Sequence, residues 1–76
     1  MSMAIMWSLG RFLEQHEITP YRLAKEAGIS QQSIYPLVRE TPKAIRFDTL
    51  GRILAALSRI LKRPVELQEI MSYSSS

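Results

Sequence analysis

Gln31 and Gln32 stand side by side, and Ser33 follows them directly. Each glutamine amide presents a donor and an acceptor next to each other, the pairing that matches the major-groove edge of adenine. This is chemistry of recognition, and the rest of the chain offers little for making or breaking bonds. With no cysteine there is no disulfide framework, thiolate nucleophile or cysteine zinc site. The single His16 has no second histidine to join it in a metal site and reads as a solvated residue near a helix end. No pair of catalytic groups stands out, and 76 residues leave little room for a pocket, so neither an enzyme nor a cofactor or small-molecule ligand is expected.

The two glutamines need an element to present them, and the residues around them supply one. Leu23 to Leu37 runs Leu-Ala-Lys-Glu-Ala-Gly-Ile-Ser-Gln-Gln-Ser-Ile-Tyr-Pro-Leu. Thr19 is a good N-cap and Pro20 follows at the first helical position, where its missing N–H costs nothing. A helix over 20–27 is therefore expected. Gly28 sits where a helix stops, since glycine enters the left-handed region without steric cost. Ala24 is small enough for two helices to cross closely, Ile29 can pack back from the turn, and Ser30 can cap a second helix over 31–39. This is the layout of a helix-turn-helix, which sets the start of its second helix against base edges in the DNA major groove. Gln31, Gln32 and Ser33 occupy that first turn.

Charge points the same way. The net charge is +3, but residues 1–38 balance to 0, residues 39–63 carry +5 and residues 64–76 carry −2. The excess begins where the second helix of the motif ends. Arg39, Lys43 and Arg46 lie beside the connection that should flank a DNA backbone, where phosphate contacts give affinity and register without sequence choice. Arg52, Arg59, Lys62 and Arg63 read as a solvated face.

The remaining pattern is helical, so the fold class expected is all-α. Ile5, Leu9, Phe12 and Leu13 predict a helix over 4–16. Leu50, Ile53, Leu54, Leu57, Ile60 and Leu61 predict a long helix over 48–61, capped by Asp48 or Thr49. Gly51, Ala55 and Ser58 form a small-residue stripe on it that would suit self-association. Pro64 should open a last short helix over 64–71 carrying Val65, Leu67 and Ile70. One domain over 1–71 is expected, followed by a disordered polar tail over 72–76. A chain this small buries only about 60% of its surface, so a partner copy would help it. No segment suits a membrane span or a signal peptide, and a cytoplasmic location is expected.

From about Leu9 to Ile70 the chain resembles the Cro/phage-repressor-like, or xenobiotic-response-element (XRE), family of bacterial and phage helix-turn-helix proteins. Thr19, Leu23, Ala24, Gly28, Ile29-Ser30, Ser33-Ile34, Leu37, Thr49-Leu50 and Ala56-Leu57 carry the likeness. The resemblance implies a five-helix lambda-repressor-like DNA-binding domain. Such domains are usually homodimeric and regulate transcription at a short operator on double-stranded DNA, commonly as repressors or autoregulators. Carried over by position, Gln31, Gln32 and Tyr35 match base-facing places, with Ser33 beside them. Tyr21 and Arg22 match places that meet phosphates, and Thr19 is grouped with them.

Three positions depart from the family pattern. Pro20 stands where the family often has a phosphate-gripping Gln, and Glu40 stands where a Gly usually ends the third helix. Pro36 would fall sixth in the helix if Ser30 caps it, removing a hydrogen bond to Gln32 at a cost of ~3 kcal/mol. It implies a kinked helix, a later start with Ser33 as cap, or a domain that no longer reads DNA in the family manner. The last of these would be a protein-interaction module or antitoxin-type adaptor whose main partner is a protein such as a toxin. Its affinity would lie in Met3 to Trp7 or in the small-residue stripe.

Overall fold

Met3 to Trp7 and Met71 to Ser75 contain no charge, and nothing local makes either segment a strong helix. In the computed structural model, which describes residues 3–75, they pair with each other. Strand β1 (Met3–Trp7) and strand β2 (Met71–Ser75) form an antiparallel ribbon with Met3 opposite Ser75 and Trp7 opposite Met71. The helix expected over 4–16 is thus shortened to α1 (Leu9–Gln15). Ile5 is exposed and belongs to the ribbon, whereas Leu9, Phe12 and Leu13 do enter the core. Helical spacing from Ile5 onward was coincidental, because the ladder that claims Ile5 comes from the far end of the chain.

Helices α2 (Pro20–Ala27) and α3 (Gln31–Arg39) have the expected limits. Thr19 accepts a hydrogen bond from the Arg22 amide at 3.1 Å, and Ser30 accepts one from the Ser33 amide at 3.2 Å. Gly28 adopts φ 70° and ψ 33°, and the amide after it, Ile29, donates back to the Ala24 carbonyl. Helix α4 runs from Phe47 to Leu61. Its cap position is Arg46, with no side-chain capping bond. Asp48, expected as a cap, lies in the first turn and pairs with Arg52 at 3.1 Å, so neither it nor Thr49 caps the helix.

The fifth helix expected over 64–71 is absent among the described residues. Lys62 turns left-handed at φ 57° and ends α4, Val65 is buried beyond it, and only Leu67–Glu69 coils, as a 3-10 turn. Glu66 and Glu69 cap that turn reciprocally, each side chain accepting from the other's backbone amide. The chain then enters β2, so residues 71–75 form a strand where a final helix turn and a polar tail were expected; Ser76 lies outside the described residues. Among the described residues the architecture is four α-helices closed by a two-stranded ribbon.

Helix α2 packs against both α3 and α4, and α1 lies against α3. Leu9, Leu23, Ile34, Ile53, Leu57 and Ile70 are fully buried where these elements meet. On α4 the expected stripe is only partly covered: Leu50, Ile53 and Leu57 are buried, while Leu54, Ile60 and Leu61 are half-buried. Ser58, expected in a surface stripe, is used internally. Its hydroxyl donates to the Leu54 carbonyl and accepts from the Val65 amide, both at 2.9 Å, and ties the end of α4 to the segment that follows.

Candidate nucleic-acid interface

The turn between α2 and α3 dictates which side of α3 faces out. Ile34 is buried and Leu37 and Val38 are half-buried, so the core claims that stripe. Gln31, Gln32, Tyr35, Pro36 and Arg39 fall on the opposite side, at the spacing of a single helix face, and all are exposed. The structure therefore brings together Gln31, Gln32 and Tyr35 as one surface. Ser33 is exposed as well, but its hydroxyl accepts from the Ser30 hydroxyl at 3.0 Å while its amide is held by the cap, so it sits at the rim of that surface.

Pro36 occupies the sixth position of α3, and Ser30 is the cap, which excludes the later start at Ser33. Tyr35, which a following proline disfavours in helical geometry, is helical nonetheless. Proline leaves the Gln32 carbonyl without its intrahelical donor. Because Gln32 and Pro36 both face solvent, water can serve that carbonyl, and this is why the helix tolerates the residue. The Arg39 guanidinium lies 5.8 Å from the centre of the Tyr35 ring, one turn away on the same face.

Apart from Arg39, the expected phosphate-binding residues lie in two parts of the chain, the start of α2 and the connection between α3 and α4. Tyr21 and Arg22 are exposed in the first turn of α2, with Lys25 5.7 Å from the Tyr21 ring. Thr19 is exposed beside them, its hydroxyl oxygen committed to the cap. Lys43 and Arg46 are exposed in the connection between α3 and α4. Among the described residues Arg39, Lys43 and Arg46 make no ion pair, whereas three of the four cations read as a solvated face do. Arg52 holds Asp48, Arg59 holds Glu26 at 2.9 Å, and Arg63 holds Glu69 at 2.9 Å. The charge excess of residues 39–63 is thus sorted by structure into internally used arginines and cations with no internal anion.

Two residues make contacts with α3 that the sequence did not signal, Gly10 and Trp7, the latter expected only as part of a segment for a protein partner. The Trp7 indole N–H donates to the Leu37 carbonyl at 2.7 Å, thirty positions away. A Cβ on Gly10 would lie 2.5 Å from the Val38 carbonyl oxygen, so α1 approaches the end of α3 as closely as only glycine permits. Neither contact leaves a trace in local periodicity. Phe47, at the start of α4 beside Arg46, is 90% exposed and had no role assigned from sequence.

His16 ends α1 and is exposed, with its ring centre 4.3 Å from that of Phe12. Among the described residues no group of histidine, cysteine and acidic side chains is placed to hold a metal, and no helix is long and apolar enough to cross a membrane. The arrangement can offer hydrogen-bonding side chains on the exposed face of α3, with Arg39 on that face and Lys43 and Arg46 in the connection that follows, none of the three in an ion pair among the described residues.

A family model described as a Cro/C1-type HTH DNA-binding domain matches residues 8–74. No curated protein and no solved structure is similar enough to the chain to count as a match.

Proposed function

The chain belongs to the Cro/C1-type helix-turn-helix DNA-binding domains, and from that membership we propose that it is a sequence-specific transcriptional regulator acting as a repressor or autoregulator. Helix α3 enters the major groove, with Gln31, Gln32 and Tyr35 at base edges and Ser33 at the margin. Arg39, Lys43 and Arg46 on one side and Thr19, Tyr21 and Arg22 on the other meet phosphates. The observation that carries this reading is the exposed face of α3 that Gln31, Gln32, Tyr35 and Arg39 share, followed in the chain by Lys43 and Arg46, which make no ion pair among the described residues. A homodimer on a pseudo-palindromic operator follows from the symmetry that such domains exploit, since two half-sites one helical turn apart multiply a weak single contact.

A second reading has one observation in its favour. Ile5 and Tyr73, opposite each other in the uncharged ribbon, are exposed on one face and Met6 is exposed on the other, apolar side chains suited to a protein partner. In that case the molecule is an adaptor or antitoxin-type module and DNA binding is weak and indifferent to sequence.

Selection of bound duplexes from a random pool separates the two. The first reading expects one enriched motif whose adenine positions lose preference in Gln31→Ala and Gln32→Ala. A pool with no enrichment favours the second reading, and a motif unaltered by both substitutions refutes base readout by these glutamines.

A further inference from the structure

We propose that Trp7 and Gly10 are positioning residues for the recognition helix, forming a clamp on the carbonyl end of α3 that fixes how its base-reading face is presented. The inference rests on the sequence-reading function proposed above and names residues that touch no DNA.

The last four carbonyls of any helix lack intrahelical donors. At the end of α3 the Pro36 carbonyl is served by the Glu40 amide at 3.0 Å, as a continuing helix would arrange. The Leu37 carbonyl is served from outside, by the Trp7 indole at 2.7 Å. The next carbonyl, Val38, lies against the bare Cα of Gly10. Two successive carbonyls are therefore met from the start of α1, one hydrogen-bonded by Trp7 just ahead of the helix and one closely approached by Gly10 in its first turn. Glycine is not placed this way by habit: a Cβ on Gly51 would meet nothing within 4 Å.

The clamp is itself braced. Trp7 lies opposite Met71 in the ribbon, and the next amide, Ser8, donates to the Ile70 carbonyl at 2.8 Å. Ile70 is fully buried, so the Trp7 backbone is tied to the core. The need for such a brace comes from Pro36. That residue removes the hydrogen bond its position would make to Gln32, so the end of α3 that carries Arg39 is joined to the first turn by one bond fewer. An external grip at Leu37 and Val38 restores a fixed relation between the two halves.

The test uses the whole chain with Trp7→Phe, which keeps a ring but removes the indole donor, and Gly10→Ala, which reaches the same place from α1. In the free proteins, amide hydrogen exchange at Leu37, Val38, Arg39 and Glu40 should quicken about tenfold, the usual scale for one lost hydrogen bond. Leu23, Ala24 and Ile53 should hold their rates. With random-sequence duplex as the probe, affinity and its salt slope should stay unchanged. Enrichment of the selected motif should fall about tenfold in both variants. Exchange that quickens uniformly over the chain would overturn the clamp, as would enrichment unaltered in both variants. Failure of the unsubstituted chain to enrich any motif would instead overturn the reading function and, with it, the clamp's role in reading.

Discussion

Side chains on α3 answer to two demands at once, and Pro36 shows which one prevails. In the helix interior proline costs ~3 kcal/mol, partly returned because it also stiffens the unfolded chain. Replacing Pro36 with Ala should therefore stabilise the protein by about 2 kcal/mol, a rise in Tm on the order of 10 °C for a chain of this size. Thermal unfolding followed by circular dichroism checks this, and an unchanged Tm would mean that the proline imposes no strain. The glutamines were legible from sequence because the cap at Ser30 and the glycine at Gly28 fix their place within a few residues. Tyr35 was reached only by likeness to a family, and the structure adds the reason it is presented: it shares a face with Gln31, Gln32 and Arg39. The contacts that Trp7 and Gly10 make with α3 were invisible, since each meets a carbonyl that the intervening fold carries to it.

Elements whose ends are written in neighbouring residues were recovered to the residue, and those that need a distant partner were not. Thr19-Pro20, Gly28 and Ser30 punctuate α2 and α3 through their own hydrogen bonds and backbone angles. The ribbon has no such punctuation, because each strand is held by the other and neither makes sense alone. The segment after α4 failed for a related reason. Pro64 is a good first residue of a helix, yet the chain coils only over Leu67–Glu69, where the Arg63 guanidinium reaches past Pro64 to Glu69 at 2.9 and 3.1 Å. That hydrogen bond, reinforced by the Glu66 amide, holds the Glu69 carboxyl below its ordinary pKa of 4.5. Since the folded pKa lies below the unfolded one, the contribution is present above about pH 4.5 and is lost as pH falls through the depressed value. Glu69→Gln should accordingly make stability less dependent on pH below 4.5 and leave its dependence above pH 6 unchanged. Urea unfolding at a series of pH values measures this. The effect is small because the pair faces solvent.

For the molecule as a whole, the useful quantity is where charge remains uncommitted once the chain has folded. Arg52, Arg59 and Arg63 are engaged with Asp48, Glu26 and Glu69, which leaves Lys62 at the end of α4 and Arg39, Lys43 and Arg46 on or just after α3 without an ion pair among the described residues. Each phosphate contact adds about 0.9 to the slope of log affinity against log salt. Lys43→Ala should lower that slope by about 0.9, and Arg52→Ala should leave it unchanged. Equal changes in the two would mean that ion pairing does not sort these cations. The ribbon has a further consequence, one of timing. Residues 3–7 are synthesised before α1, yet their partners at 71–75 follow only after α4 has been made. A nascent chain can therefore complete its helix-turn-helix while β1, apolar and uncharged, still waits for a mate. During that interval its open backbone is available to a neighbouring nascent chain, and the order of synthesis makes those five residues the point at which crowded expression would turn folding into aggregation.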